Sequence, residues 1–241
     1  AETQYQYVLV TKNTAPVWTG VTPLATGVRE VTIDNLDAIT EYDFYVRSYY
    51  GEGKYSTAVK LSFKTACGIY EIPFTESFSA NSLPECWDNQ EGTTLEETYR
   101  WNTYAFDGHT GSGGCVRFNA VSNSSGYTNY LESPQIRLTD EAQLQFYWKN
   151  PKAATYKVYV SVNGGARTEL KDLTATQTAW TQETISLADY SGEIVRLYFY
   201  AVSNKTSNSY AWLDEVNVSY RPCNTPTGLS AVATTDGTNL S

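Results

Sequence analysis

The chain lacks methionine, has a single histidine, and is poor in charged residues, which make up 18% of its 241 residues. No run of about 18 apolar residues occurs, so the sequence offers no helix that could span a membrane. The missing start residue indicates a processed product or an excised piece, with no signal peptide. The four cysteines form no Cys-x-x-Cys pair, so the spacing typical of zinc sites is absent.

The charge balance limits the possible partners. The formal net charge is -9, and a surface of this sign repels polyanions, which excludes nucleic acid as a partner. Cations are not repelled, and an acidic extracellular protein is a natural host for calcium.

What the chain does contain favours an all-β fold. Tyrosine occurs 20 times, and short stretches alternate apolar and polar residues between turns marked by glycine and asparagine. These stretches predict four strands before Cys67, at 5–10, 29–36, 41–48 and 58–64. Seven further strands are predicted at 69–78, 115–121, 143–149, 156–162, 182–187, 194–202 and 211–220. This many antiparallel strands after Cys67 indicates a two-sheet jelly roll.

The stretch LDAITEYDFYVRSYYGEGKYS, residues 36–56, resembles the fibronectin type III family. The resemblance implies that Tyr42 is the corner tyrosine, whose hydroxyl bonds to the loop near Leu36. Such a sandwich needs about 100 residues and seven strands, so residues 1–66 are predicted to be a truncated domain. Residues 224–241 are similar to the first strands of a further repeat. Two incomplete pieces with open sheet edges predict strand exchange with a neighbouring chain.

Three segments after Cys67 resemble the cleaved-adhesin domains of gingipain-type haemagglutinins and, more distantly, MAM domains. They are FTESFSANSLPECW at 74–87, NYLESPQIRL at 129–138 and AWLDEVNV at 211–218, with strand sequences LQFYWK and YKVYVSV between them. The resemblance implies that residues 67–223 form an antiparallel β jelly roll with structural calcium. It also implies a bacterial surface adhesin, and therefore an extracellular or cell-surface location.

A calcium site is predicted at Glu76 and Asp214. Each carboxylate falls within an apolar stripe, and in a jelly roll of this family the first and last strands are neighbours. Two inward carboxylates suggest a shared hard cation, because a buried carboxylate is costly unless it is paired or coordinated. The alternative is that Glu76 faces solvent or pairs with Arg100 or Arg117. Ser79 stands where many relatives carry glutamate, which would give the calcium site fewer ligands or leave it empty.

Two disulfides, Cys67–Cys223 and Cys86–Cys115, are predicted. If Glu76 and Asp214 face each other, opposite positions sum to 290, and Cys67 and Cys223 have the same sum. The Cys86–Cys115 pair follows by elimination. The alternatives are four free thiols, or Cys67 near Cys86, which would make the register wrong.

No catalytic constellation is evident, so the chain is predicted not to be an enzyme. His109 lies in FDGHTGSGG, residues 106–114, and its pattern is typical of a solvated turn residue. Neither a nucleophile elbow nor a phosphate-binding lysine accompanies it. The loop aromatics can stack on a sugar or anchor a protein partner, or they can simply cover sheet edges. The candidates for ligand contact are Tyr104, Phe106, Tyr127 and Tyr130.

These observations predict a non-catalytic extracellular adhesion or binding module that recognises a host or cell-surface protein or glycan. A second hypothesis is a substrate-targeting accessory domain of a secreted protease or glycoside hydrolase. A third is a passive spacer.

Overall fold

A computed structural model describes residues 4–93, 99–111, 113–120, 126–139, 141–152, 154–204, 208–221, 231–234 and 237–240. The chain forms two compact units, Ala1–Gly68 and Ile69–Ser241. Their regular structure is β strand, interrupted by a short 3-10 turn at Ala188–Tyr190. The predicted all-β class is therefore confirmed. In the described part of the chain, no helix is long and apolar enough to cross a membrane.

The first unit is an antiparallel sheet in the order β1-β2-β3. Its strands are β1 (Gln4–Thr11), β2 (Glu41–Tyr49) and β3 (Val59–Lys64), which confirms three of the four strands predicted there. The fourth prediction is wrong, because residues 29–36 adopt no strand.

The corner-tyrosine contact expected at Tyr42 is present. The backbone N–H of Asp37 donates to Tyr42 Oη over 3.1 Å, and the Tyr42 side chain is buried. This bond ties β2 to the segment that precedes it. The assignment of the unit to the fibronectin type III family stays a prediction.

The second unit contains the remaining strands: β4 (Ile69–Glu71), β5 (Phe74–Glu76), β6 (Trp101–Tyr104), β7 (Cys115–Ala120), β8 (Thr128–Glu132), β9 (Gln135–Arg137), β10 (Ala142–Asn150), β11 (Thr155–Val162), β12 (Arg167–Asp172), β13 (Gln177–Ser186), β14 (Ile194–Val202), β15 (Ser209–Tyr220), β16 (Ala231–Thr234) and β17 (Gly237–Leu240). The first predicted strand, 69–78, is two short strands separated at Pro73, which has no N–H to continue a ladder. Strands β16 and β17 pair only with each other, as a hairpin. The predicted division at 224 stays a prediction, since residues 222–230 lie outside the described residues.

Two six-stranded sheets build the body of this unit. The first, called here the front sheet, has the order β13-β10-β15-β7-β6, with β5 also paired to β15. The second, the back sheet, has the order β12-β11-β14-β9-β4, with β8 also paired to β14. Inward side chains of both sheets form one buried core, as expected for a jelly roll.

The core follows from alternation of buried and half-buried residues along much of the central strands. In β10 the buried residues Leu144 and Phe146 alternate with the half-buried Gln145 and Tyr147. Because successive side chains point to opposite faces of a sheet, the apolar set packs inward and the polar set is placed on the outer face. Full burial of each large apolar side chain contributes about 1.5–3 kcal/mol.

A β-bulge in β15 changes this alternation near the end of the chain. Tyr147 pairs with Asp214 and Gln145 with Asn217, so two steps along β10 correspond to three along β15. Glu215 adopts a φ of 48°, as a bulged residue can. The side chains of Val216 and Val218 therefore face the core, whereas that of Asp214 faces outward.

Two predictions are wrong here. Because of the bulge, Asp214 does not share a face with Val216 and Val218, which both belong to the core. Glu76 pairs with Val216 rather than with Asp214, so opposite positions sum to 292 and not to 290. The partner of Glu76 therefore lies two residues further along β15 than predicted.

The predicted disulfide pairs are also wrong. Cys115 is a free, buried thiol, whereas Cys67 and Cys86 are each disulfide-bonded. Because Cys115 is free and Cys67 and Cys86 are both bonded, Cys67 and Cys86 must be bonded to each other, which rules out both predicted pairs. Cys223 itself lies outside the described residues.

Candidate binding face

The outer face of the front sheet carries a cross-strand row of neutral polar side chains. Thr75 pairs with Asn217, Asn217 with Gln145, and Gln145 lies beside Thr184 on the next strand. Gln145 Nε2 donates to Thr184 Oγ1 over 3.3 Å. Asn217 Oδ1 is buried and accepts no hydrogen bond from any described group. This row offers both donors and acceptors along one line.

The next row places an aromatic ring beside acidic groups. Tyr147 lies between Asp214 on β15 and Gln182 on β13. Glu215 follows Asp214 at the bulge. The two polar rows border a groove of about 420 Å³. Its lining comprises Thr75, Glu76, Ser77, Gln145, Tyr147, Gln182, Glu215, Val216 and Asn217.

A third row alternates cations and indoles. Trp212 pairs with Arg117 on one side and with Lys149 on the other. Lys149 Nζ lies 4.3 Å from the centre of the Trp212 ring and 4.7 Å from that of Trp180. The Arg117 guanidinium lies 4.8 Å from the Trp212 ring and 3.9 Å from the Tyr104 ring. Such cation–π contacts hold the indoles and the cations in fixed positions.

The loop between β6 and β7, residues 105–114, lies over this face. Asp107 Oδ2 accepts a hydrogen bond from Lys149 Nζ over 2.5 Å, and the Asp107 carbonyl accepts one from Trp180 Nε1 over 3.2 Å. Lys149 is consequently only 8% exposed. The loop thus removes one cation of the third row from solvent and leaves the edge of Trp180 half-exposed.

His109 is the second anchor of this loop. Its ring stacks on Tyr147 with 3.4 Å between centroids, and its backbone N–H donates to Asp214 Oδ2 over 2.7 Å. His109 Nδ1 lies 3.2 Å from Glu215 Oε2, an ion-pair distance without hydrogen-bond geometry. The prediction of a solvated turn residue is therefore wrong: the glycine-rich loop presents His109 to the sheet.

The glycines of the loop permit its close approach. A Cβ on Gly114 would lie 2.7 Å from the Phe78 carbonyl oxygen, and one on Gly108 would lie 2.7 Å from the Gly113 carbonyl oxygen. Real Cβ atoms do not come this close to backbone. Beneath the loop, burial raises the pKa of the Cys115 thiol to about 12, so this cysteine is an inert packing residue.

Asp214 holds the loop through its carboxylate. Oδ2 accepts the N–H of His109 and Oδ1 accepts the N–H of Glu215 over 2.8 Å, while burial raises the pKa of the acid. Glu76 Oε1 accepts the N–H of Phe78 over 2.8 Å. These oxygens, predicted to be calcium ligands, are therefore used for backbone hydrogen bonds. The described residues contain no group of three or more His, Cys, Asp or Glu side chains arranged around one metal position.

The structure brings two of the four predicted contact aromatics together. Tyr104 and Phe106 lie 5.8 Å apart, and Tyr104 packs edge-on against Trp212. Phe106 is 71% exposed, so it projects from the front sheet beside the third row.

The other two aromatics lie elsewhere. Tyr127 stacks on Tyr99, with centroids 5.7 Å apart. Tyr130 belongs to the back sheet, where it contacts Tyr159, Tyr200 and Arg167. The prediction missed Tyr147, Gln145, Asn217 and Trp180. Three of these could have been found from the outward positions of LQFYWK and DEVNVS, once the phase of each strand is known.

Comparison with known proteins supports a family assignment. No curated protein matches the chain. The model of the MAM domain, meprin/A5/mu, matches residues 70–224, well over half of the chain.

Several solved structures resemble the chain. The K1 cleaved adhesin domain of Lys-gingipain from Porphyromonas gingivalis W83 is 22% identical, over 62% of this chain and 98% of its own, with a TM-score of 0.47. TmCBM61, solved with beta-1,4-galactotriose, is 12% identical over 60% and 94%, with a TM-score of 0.48. The CBM22-1 xylan-binding domain of Paenibacillus barcinonensis Xyn10C is 14% identical over 64% and 97%, with a TM-score of 0.43.

At TM-scores below 0.5, these likenesses carry no argument about what the chain binds. The family match does not depend on them, and it covers nearly all of the two-sheet unit described above. The predicted resemblance to MAM domains is thereby confirmed, and the chain belongs to the MAM domain family.

Proposed function

We propose that this protein is a non-catalytic extracellular adhesion or binding module that recognises a glycan in the groove on its front sheet. The observation that carries the proposal is the row Thr75–Asn217–Gln145–Thr184 beside the ring of Tyr147. Hydroxyl and carboxamide groups each donate and accept, as sugar hydroxyls do. The Tyr147 ring stacks on His109 with one face and also lines the groove, where it adds apolar surface for a sugar.

The size and rigidity of the groove fit this role. Its volume of about 420 Å³ lies within the ~300–1,000 Å³ typical of small-ligand sites. Its floor consists of paired strands, and its wall is held by the anchors of His109. A preformed site of this kind loses little conformational entropy when a ligand binds.

Glycan-array binding of the full chain, followed by calorimetric titration of the best glycan, tests the proposal. Gln145→Ala should weaken binding about fivefold to tenfold, because one hydrogen bond is worth roughly 1 kcal/mol. Gln143→Ala is the matched control, since Gln143 is on the same strand and face but does not line the groove. Equal affinity of both variants would place the ligand elsewhere.

The exposed ring of Phe106 favours a second candidate, a protein partner. Aromatic and arginine side chains dominate the binding energy of many protein interfaces, and Phe106 lies near Tyr104 and Arg117. The module would then serve as an adhesin for a host surface protein, or would hold a secreted enzyme near its substrate. Retained glycan binding by Phe106→Ala, with loss of cell attachment, would favour this candidate.

Structural calcium at Glu76 and Asp214 also stays a proposal. A metal ion there would share Asp214 Oδ1 and Oδ2 with the backbone N–H groups that already donate to them. Millimolar calcium should then raise the melting temperature by mass action, and Asp214→Asn should abolish the rise. Identical melting curves in calcium and in chelator would contradict the proposal.

Strand exchange between copies is proposed from the open face of the first unit. Val59, Leu61 and Phe63 project from β3 on the same face as buried Tyr42, yet they are exposed. Deleting residues 225–241 should shift the chain towards monomer, because this segment would supply the covering strands. An unchanged mass at high concentration would count against exchange.

A further inference from the structure

The groove carries negative charge in addition to its neutral polar rows. Glu215 lines it with a side chain that is 33% exposed. Asp214, which precedes Glu215 in the chain, is 2% exposed. The groove lining includes no lysine, arginine or histidine. A ligand in the groove therefore meets the Glu215 carboxylate, whose basic neighbour His109 lies 3.2 Å away and outside the lining.

The cations of this face are committed to other partners. Lys149 donates to Asp107 and lies over two indole rings. Arg117 stacks on the Tyr104 ring. His109 Nδ1 lies 3.2 Å from Glu215 Oε2, and His109 does not line the groove. None of these groups can move to an acidic ligand without giving up a contact that fixes the loop or the third row.

An unsatisfied hydrogen-bond acceptor in the groove also favours a ligand that donates hydrogen bonds. Asn217 Oδ1 is a buried acceptor that no described group serves. It flanks Val216 on one side of the bulge, and Glu215 flanks it on the other. Both residues line the groove, and a ligand hydroxyl or ammonium can donate to such acceptors whereas a carboxylate or sulfate cannot.

Resting on the proposed glycan function, we infer that the groove selects uncharged or amino-bearing sugars and rejects acidic ones. Sugar hydroxyl or ammonium groups donate to Glu215 and Asn217. Uronic, sialic and sulfated residues instead place an anion against Glu215 in a partly desolvated groove, where like charges repel strongly. The discrimination is expected to be about tenfold, equivalent to roughly 1.4 kcal/mol.

A glycan array that contains neutral, amino-bearing, uronic, sialylated and sulfated members tests the inference with the full chain at pH 8. This pH lies above the ordinary pKa of histidine. The strongest binders should be neutral or amino-bearing. Titration of a bound oligosaccharide and its C6-oxidised uronic counterpart should give about tenfold weaker binding for the acid.

The variant Glu215→Gln keeps the size of the side chain and one acceptor oxygen but removes its charge. Glu215→Gln should reduce the ratio of the affinities for the neutral and the uronic oligosaccharide from tenfold to within about threefold. Glu141→Gln should leave this ratio unchanged. Glu141 is an acidic residue bonded to Arg221 and lies outside the groove lining.

The outcomes distinguish failure of the charge selectivity from failure of the proposed glycan function. Acidic glycans among the strongest binders, or an unchanged ratio in Glu215→Gln, would overturn the charge selectivity and leave the glycan function standing. An array without any binder would contradict the proposed function itself, and the selectivity would fall with it.

Discussion

The two units of the chain bury their apolar side chains to different extents. In the second unit, two six-stranded sheets enclose a core whose largest side chains, such as Phe146 and Phe199, are fully buried. In the first unit, one three-stranded sheet leaves Val59 69% and Leu61 64% exposed. A closed core lets the outer face of a sheet specialise in binding, whereas an open apolar face calls for a covering partner.

The largest test of this comparison is truncation of one side chain in each unit. Phe146→Ala should cost about 3–5 kcal/mol of unfolding free energy, because the cavity cannot collapse. At a concentration where the chain is monomeric, so that no exchanged strand covers β3, Leu61→Ala should stay within about 0.5 kcal/mol, as expected for an exposed position. Denaturant titration followed by tryptophan fluorescence reports the former, since all tryptophans except Trp18 belong to the second unit.

Comparable losses in the two variants would contradict the account. They would mean that the β3 face is covered in solution, and the contrast between the units would disappear. Far-UV circular dichroism of both variants checks that each begins from a folded state.

A smaller effect is expected at the anchor of the loop. Asp214→Ala leaves the N–H groups of His109 and Glu215 without their acceptor, which should cost about 1–3 kcal/mol. Asp189→Ala is the control, because Asp189 is exposed in the 3-10 turn. Thermal melts of both variants measure the difference. Equal melting temperatures would show that the loop is held by other contacts.

The smallest effect is a pH dependence that the open unit does not share. Burial raises the folded-state pKa of Asp214 above its unfolded value, so folding favours the protonated acid. The ionised group therefore opposes folding above the raised pKa, and stability is gained as pH falls through it. Relative to Asp214→Asn, the natural chain should become more stable between about pH 7 and pH 4. A flat difference would contradict the raised pKa.

The sequence predicted the positions of the strands better than it predicted which side chains face the core. Alternation in LQFYWK and YKVYVSV located β10 and β11, because a half-buried strand imposes a period of two. It could not locate the bulge at Glu215, since one extra residue leaves no local mark and depends on pairing with β10. The predicted position of Asp214 failed for that reason, whereas the disulfide pairs failed because Cys115 is a free thiol.

The binding face was predicted only in part. Tyr104 and Phe106 were found because they lie in a loop rich in aromatic residues. The rows built by Asn217 and Gln145 join strands about 70 residues apart in sequence, and only the three-dimensional pairing brings them together. His109 was misread because a glycine-rich loop is usually solvated, whereas this one folds back onto the sheet.

The most direct test of the account is a calorimetric titration of the best array glycan into matched variants of the two units. The double variant Gln145→Ala with Asn217→Ala should weaken binding by about 30-fold or more, from two lost hydrogen bonds of roughly 1 kcal/mol each. Val59→Thr with Leu61→Thr should bind like the natural chain. Loss of binding in the second variant with retention in the first would contradict the assignment of the glycan site to the front sheet.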